Sequence, residues 1–127
     1  MKVKKLVIDI KSLKEVLQNV AKTIKDIEQG KSVRPQPETI NFVSLEAARN
    51  FFTPKRIELL TLIHHQEPRS IYELAKMANR HLKNVQDDVA ILVRVGLIGL
   101  EKKKESRGRN VPKVDYDKLD IRFRIAV

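Results

Sequence analysis

The sequence predicts an α+β protein that is mainly helical, and two observations carry this prediction. Between residues 11 and 95, apolar residues recur at three- and four-residue steps in separate stretches, which is the period of an amphipathic helix. In residues 3–10 and 119–127 the period is two, as in a strand with one apolar face. Glycine and proline residues separate the stretches, so the elements can be placed in order.

The N-terminal part predicts a strand, a helix and a linker. Residues 3–10 alternate, and from residue 11 to about Glu28 a helical apolar stripe faces a row of lysines until Gly30 ends it. Residues 30–39 hold glycine and two prolines among polar residues and predict a boundary. We therefore take residues 1–39 as a separate strand, helix and linker and as a dimerisation candidate.

Two further helices are predicted after this linker. Residues 40–43 predict a short extended piece, after which Ser44 caps a brief helix to about Phe52. Thr53-Pro54 then begins the next helix, with threonine as the cap and proline at the first helical position, and this helix ends near residue 65.

A pair of helices joined by a short turn is predicted next. Ser70 and Glu73 form an S-x-x-E capping box that begins the first of them. A turn at residues 78–80 leads to the second, which runs from about residue 81 to 95 and ends at Gly96. The last three predicted helices, from residue 54 onward, are expected to pack on a shared core. The residues expected in it are Ile57, Leu59, Leu60, Ile63, Leu74, Met77, Leu82, Val85, Val89, Leu92 and Val93.

The C-terminal part predicts three strands. Residues 97–103 and 111–116 flank a polar loop and predict a hairpin, and residues 119–127 predict a further strand. From Thr53 the order is helix, helix, helix, strand, basic loop, strand, which is the order of a winged helix-turn-helix. We expect residues 40–116 to form that domain, with an added N-terminal strand and helix and a C-terminal strand at residues 117–127.

The charge of the chain favours a polyanionic partner. Lysine and arginine number 26 against 16 acidic residues, a formal net charge of +10, which suits DNA, RNA or an anionic membrane without choosing between them. The middle of the chain is nearly neutral and both ends are basic. The sharpest cluster lies at the predicted hairpin loop and comprises Lys102, Lys103, Lys104, Arg107, Arg109 and Lys113.

Several classes of protein are disfavoured by what the sequence lacks. Without cysteine there is no disulfide framework or thiolate zinc site, and the three histidines have no carboxylate at ligand spacing, so we expect no metal site. No apolar run is long enough to span a bilayer and no signal-peptide core is visible, so a cytoplasmic location without membrane contact is expected. The sequence contains no phosphate-cradling loop or hydrolase motif, so we expect neither an enzyme nor a cofactor.

Four short stretches resemble a known family in their order and spacing. They are residues 53–60, 70–75, 84–89 and 96–98, and together they are similar to winged helix-turn-helix regulators, above all MarR-like DNA-binding proteins of archaea and bacteria. The resemblance covers residues 44–116. It implies a DNA-binding transcription regulator with residues 80–95 as recognition helix. The sequence departs from the pattern at Asp87, where many such helices carry a basic residue.

The face of the predicted recognition helix opposite its core residues supplies the base-reading candidates. They are Lys83, Asn84, Gln86 and Asp87, with Arg80 just before the helix. Asparagine and glutamine suit adenine, and lysine suits guanine or phosphate. Two alternatives remain for Asp87: its carboxylate accepts a hydrogen bond from cytosine, or the residue has no role in DNA contact. For Asp88 we expect an internal pair with an arginine.

The basic loop supplies the candidates for phosphate contact. The predicted wing residues are Lys102, Lys103, Lys104, Arg107, Arg109 and Asn110, and Ser70 is a further candidate for the DNA backbone. Regulators of this class present two recognition helices to two half-sites, so a homodimer is expected, with residues 1–30 and 119–127 as interface. The alternative is that these segments complete the core of one monomer.

Two rival functions keep the same basic surface. An RNA-binding winged helix is one, although duplex RNA hides its base edges in a narrow major groove. The other is an antitoxin or complex subunit that binds a protein partner, with the N-terminal helix as the contact.

Overall fold

A computed structural model describes residues 1–31, 39–102 and 110–127. Within these ranges the α+β class is confirmed, with five helices and five strands. The elements are β1 (Val3–Ile10), α1 (Leu13–Glu28), β2 (Thr39–Phe42), α2 (Leu45–Phe51), α3 (Pro54–Gln66), α4 (Ile71–Ala78), α5 (Leu82–Arg94), β3 (Gly99–Lys102), β4 (Asn110–Lys113) and β5 (Lys118–Ile125). Most of the predicted linker and of the basic loop lies outside the described residues.

Side-chain caps begin four of the helices where the sequence predicts them. The first N–H groups of a helix have no partner within the helix, and a serine or threonine oxygen can accept from one of them. Ser12, Ser44, Thr53 and Ser70 each accept a hydrogen bond from the backbone N–H three residues later, at 3.0 to 3.2 Å. Local chemistry therefore fixes the start of α1, α2, α3 and α4.

Both strands of the hairpin are shorter than predicted: the first begins later in the chain, and the second ends earlier. Gly96 has a φ of 81°, and beyond it the N–H groups of Leu97 and Ile98 both donate to the carbonyl of Leu92. These two residues thus close the end of α5 in the core, and β3 begins only at Gly99. The returning strand ends at Lys113 rather than at Tyr116, whose hydroxyl donates to the Leu97 carbonyl at 2.8 Å.

The first of two compact units consists of residues 1–4 and 52–119. Helices α3, α4 and α5 pack together, and β4 contacts both α3 and α4. β3 and β4 pair antiparallel, with Gly99 opposite Lys113 and Lys102 opposite Asn110. The core is aliphatic and includes Leu59, Leu60, Ile63, Leu74, Ala75, Val85, Val89, Leu92, Leu97, Ile98 and Val111, with Tyr116 beside them.

Two residues expected in this core lie at the surface. Ile57 is 39% exposed and Leu82 is 37% exposed, while Met77 and Val93 are half-buried. Successive helix residues are about 100° apart, which puts Ile57 roughly 110° and Leu82 roughly 50° from the centre of their helix's buried residues. The apolar stripe of each helix is therefore narrower than the sequence pattern suggested.

The second unit consists of residues 5–51 and 120–127 and is organised by a sheet of order β2-β1-β5. β1 and β2 are parallel, with Ile8 opposite Ile40, and α1 forms the crossover that such a pair requires. Leu6, Ile8 and Ala48 are fully buried. Asp9 is also buried, and Arg124 of β5 bonds it at 3.3 Å.

Apolar side chains of this unit remain exposed on α1 and β5. No residue of α1 is buried, and Leu13, Leu17, Val20, Ile24 and Ile27 are each at least half exposed. On β5, Phe123 is 48% and Ile125 is 51% exposed. Of the segments expected at an interface or in the core of a monomer, β1 therefore contributes buried residues, whereas α1 and β5 keep apolar side chains in solvent. None of the helices described is long and apolar enough to cross a membrane.

Truncation of two leucines on α5 tests which face of the helix lies in the core. Leu92→Ala removes a side chain that is 1% exposed, so we expect a loss of about 2–5 kcal/mol in the free energy of unfolding. Leu82→Ala is the matched control, and its expected loss is less than half as large because Leu82 is 37% exposed. Chemical denaturation of both variants measures the difference. Equal losses would mean that Leu82 belongs to the core.

Candidate nucleic-acid interface

A short, well-bonded turn joins α4 to α5. Asn79 has a φ of 54°, a left-handed conformation that ends α4. The N–H of Arg80 then donates to the Ala75 carbonyl at 3.0 Å, and α5 begins two residues later. Because three residues make the whole connection, the start of α5 is held close to the end of α4.

An ion cluster centred on Asp88 ties this turn to two helices. Arg56 of α3 donates from Nε to Asp88 Oδ1 at 3.0 Å, and Arg80 of the turn donates from Nη2 to Oδ2 at 2.7 Å. All three side chains are between 15% and 18% exposed. The internal pairing expected for Asp88 is confirmed, and its carboxylate is directed to these arginines.

The environment of Asp88 keeps its carboxylate ionised. Burial on its own would raise the pKa, but the hydrogen bonds and positive charges of Arg80 and Arg56 outweigh it and lower the pKa below 3.8. In the folded protein Asp88 therefore stays negative at any pH near neutrality.

The polar face of α5 is open to solvent. Lys83, Asn84, Gln86 and Asp87 are all exposed, as predicted for the base-reading candidates. At about 100° per residue they occupy a continuous arc opposite the buried Val85, Val89 and Leu92. Lys83 Nζ lies 3.9 Å from Asp87 Oδ1, one helical turn away, so the acidic side chain has a cation beside it.

The remaining predicted contacts are distributed differently. The Arg80 side chain is only 15% exposed and is bonded to Asp88, and Ser70 is buried with its hydroxyl capping α4. Lys102 and Asn110 are exposed and stand opposite each other where β3 ends and β4 begins. Lys103, Lys104, Arg107 and Arg109 lie outside the described residues.

A groove beside the start of α5 is a feature that the sequence analysis did not identify. Tyr72 and Lys76 of α4 line it together with Arg80 and His81. Lys76 Nζ lies 4.8 Å from the centre of the Tyr72 ring, and His81 at the N-cap position makes no side-chain cap bond. The i,i+4 spacing of Tyr72 and Lys76 is the signal that places them on one face. The first N–H groups of α5 therefore adjoin a lysine and a histidine.

The histidines and acidic groups do not converge in the described ranges. No group of three or more metal-ligating side chains stands close enough to hold an ion there. His64 lies near the end of α3, and its Nε2 is 3.3 Å from Asp117 Oδ1. The ring of His65 packs edge-on against the ring of His64, with the ring centres 4.8 Å apart.

Removal of the Asp88 charge tests the cluster. Asp88→Asn leaves two largely buried guanidinium groups without their carboxylate, so we expect a loss of about 3–5 kcal/mol in the free energy of unfolding. Because the folded pKa of Asp88 is lowered, its contribution is full above its usual pKa of 3.8 and falls as the pH drops through the lower folded value.

Denaturation of the wild type and of Asp88→Asn at a series of pH values measures this contribution. The gap between the two curves should narrow below about pH 4. The matched control is Asp87→Asn, whose side chain is 61% exposed and should change stability little. A gap that stays constant down to the lowest pH would show that the charge of Asp88 does not stabilise the fold.

Comparison with known proteins relates most of the first unit to one family. A family model described as HVO_A0114 matches residues 51–121, which is more than half of the chain and includes α3, α4, α5 and the hairpin strands. Its description names no activity and no partner. No curated protein matches the chain. On the extent of the family match, the chain belongs to the HVO_A0114 family.

Proposed function

We propose that this protein binds double-stranded DNA in a sequence-specific manner and regulates transcription through a winged helix-turn-helix of the MarR-like kind. In this proposal α4 and α5 are the helix-turn-helix and the β3–β4 hairpin is the wing. The observation that carries it is the open polar arc of α5, on which Lys83, Asn84 and Gln86 follow directly after a tight turn.

The size and chemistry of α5 suit the major groove of DNA. B-DNA admits an α-helix in a groove about 12 Å wide, where each base pair presents a distinct set of donors and acceptors. Asn84 and Gln86 carry amides that can bond adenine at two points, and Lys83 can reach guanine or phosphate. Arg80 is removed from this set in favour of a positioning role, because Asp88 already binds its guanidinium.

The Asp88 cluster answers the electrostatic objection to this role. Two adjacent aspartates on a recognition helix would repel phosphates if both faced the DNA. Asp88 is bonded to Arg56 and Arg80, and Asp87 lies 3.9 Å from Lys83, so little uncompensated negative charge remains on the outer face. The acidic pair is thereby compatible with DNA binding.

Phosphate contacts are assigned to the groove and to the wing. The free N–H groups at the start of α5 and the positive end of its dipole favour an anion, and Lys76 and His81 stand beside them. The wing adds the basic residues Lys102, Lys103, Lys104, Arg107 and Arg109 and the amide of Asn110, all of which suit the backbone or the minor groove. Ser70 is left out because it is buried.

We further propose that the protein acts as a homodimer in the cytoplasm, without a cofactor and without enzymatic activity. Two copies present two α5 helices to half-sites about one helical turn, roughly 34–36 Å, apart. The exposed apolar residues of α1 and β5 support an additional partner surface. They also favour the second candidate function, binding of a different protein, which recovery of a stoichiometric partner from the native host would test.

Neutralisation of the wing tests the proposed phosphate contacts. If the two wings of a dimer neutralise on the order of six phosphates, log affinity falls with log salt at a slope of about −5. We expect the quadruple variant Lys103→Ala, Lys104→Ala, Arg107→Ala and Arg109→Ala to weaken binding to all duplexes alike and to flatten this slope. Fluorescence anisotropy across a salt series measures both, with duplex RNA as a competitor.

The control for the wing variant is the double variant Lys22→Ala and Lys25→Ala on α1. These lysines are exposed on α1, so their loss lowers the net charge without changing any residue of the proposed contact set. Unchanged affinity in the wing variant would contradict the wing assignment. Preference for RNA in the competition would favour the RNA-binding alternative.

Substitution on α5 tests base readout separately from charge. We expect Asn84→Ala and Gln86→Ala to change the sequences selected from a random duplex library, because each lost bidentate contact costs about 1–3 kcal/mol of discrimination. Affinity for unrelated DNA should stay close to that of the wild type, since neither residue is charged. Thr61→Ala, on the exposed side of α3, is the control. Identical selected sequences in wild type and variants would rule out readout by these residues.

A further inference from the structure

We propose that β5 pairs antiparallel with β5 of a second copy, which joins two three-stranded sheets into one continuous sheet centred on Ile121. The inference rests on the proposed homodimer and not on DNA binding. It concerns the edge of the β2-β1-β5 sheet that β5 forms.

β5 has the properties of an edge that can accept another strand. It is eight residues long, whereas β2 at the opposite edge has four, and it contains neither proline nor glycine. In the described part of the chain its only neighbour in the sheet is β1. An edge strand presents backbone N–H and C=O groups that can pair with another chain. Phe123 and Ile125 remain about half exposed on it, so the strand has apolar surface left to bury.

The sequence of β5 is complementary to itself in the antiparallel register centred on Ile121. Apolar residues occupy the odd positions Leu119, Ile121, Phe123 and Ile125, and charged residues occupy the even ones. With Ile121 opposite itself, Leu119 lies opposite Phe123 of the second copy, so apolar side chains meet on one face. On the other face Asp120 of each copy lies opposite Arg122 of its neighbour, which gives two attractive pairs.

Charge complementarity favours a second copy of the strand as the partner. A chain of net charge +10 repels a second copy unless the contact surface carries both signs. The side chains of Asp120 and Arg122 are 42% and 72% exposed, so both can bond across an interface. Within the strand, Arg122 Nε lies 4.0 Å from Asp120 Oδ2. The register also sets Lys118 opposite Arg124, a like-charge pair whose repulsion is reduced because Arg124 forms an ion pair with the buried Asp9.

Reciprocal charge reversal on the full-length chain tests the pairing. Asp120→Arg sets arginine against Arg122, and Arg122→Asp sets aspartate against Asp120, so each variant alone should dimerise about tenfold more weakly or not at all. Mixed one to one, the two variants should form a heterodimer of nearly wild-type stability, because both opposite-charge pairs are restored. Sedimentation equilibrium over a concentration series measures the dissociation constants.

Two controls separate the interface from the fold. Lys22→Asp reverses a charge on exposed α1 and should leave dimerisation unchanged. The far-ultraviolet circular dichroism spectrum of each reversed variant at room temperature should match that of the wild type, since both reversed side chains are partly or largely exposed. Leu17→Lys and Ile24→Lys place charges on the apolar side of α1, the competing interface.

Each result decides the proposal. Weak single variants and a restored mixture support it. A wild type that remains monomeric overturns both the dimer and the strand pairing. A dimer that tolerates both reversals, or that only the α1 variants dissociate, overturns the strand pairing and leaves the dimer. A chain that dimerises through β5 but does not bind DNA would overturn only the proposed function.

Discussion

The carboxylate of Asp88 is the interaction on which the arrangement of the first unit depends. It binds a guanidinium from α3 and another from the turn before α5, so one largely buried charge links three segments. Such a pair adds little stability over an apolar core, but removal of the carboxylate is costly because its attraction no longer offsets the desolvation of the arginines. The cluster therefore determines the direction of α5 and turns one acidic residue of the helix away from its outer face.

Negative charge on the outer surface of α5 also has a cation beside it. Asp87 has Lys83 one turn away, and amides occupy the rest of the arc, so the face is polar and close to neutral. The excess positive charge of the chain lies elsewhere and is densest in residues 102–113. Under the proposed function, this division separates base discrimination from backbone affinity, because amides distinguish bases whereas lysines and arginines attract any phosphate.

The second unit has a different character, since much of its apolar surface is left uncovered. The sheet buries Leu6 and Ile8, yet α1 and β5 keep apolar side chains in solvent. Most of the stability of a protein helix comes from packing of its apolar face, and burial of exposed apolar side chains by a partner is favourable. These exposed apolar residues are the observation on which the proposed association of this unit rests.

The sequence by itself determined where nearly every element begins, because caps, glycines and apolar periods act over a few residues. It also identified the exposed face of α5 and the arginine pairing of Asp88. Only the tertiary structure decided that Leu82 and Ile57 lie outside the core, that Leu97 and Ile98 close α5 instead of extending β3, and that Arg56 and Arg80 are the partners of Asp88. These outcomes depend on how the helices and the segments after them pack together, which a local pattern does not specify; Arg56, for example, is 32 residues from Asp88.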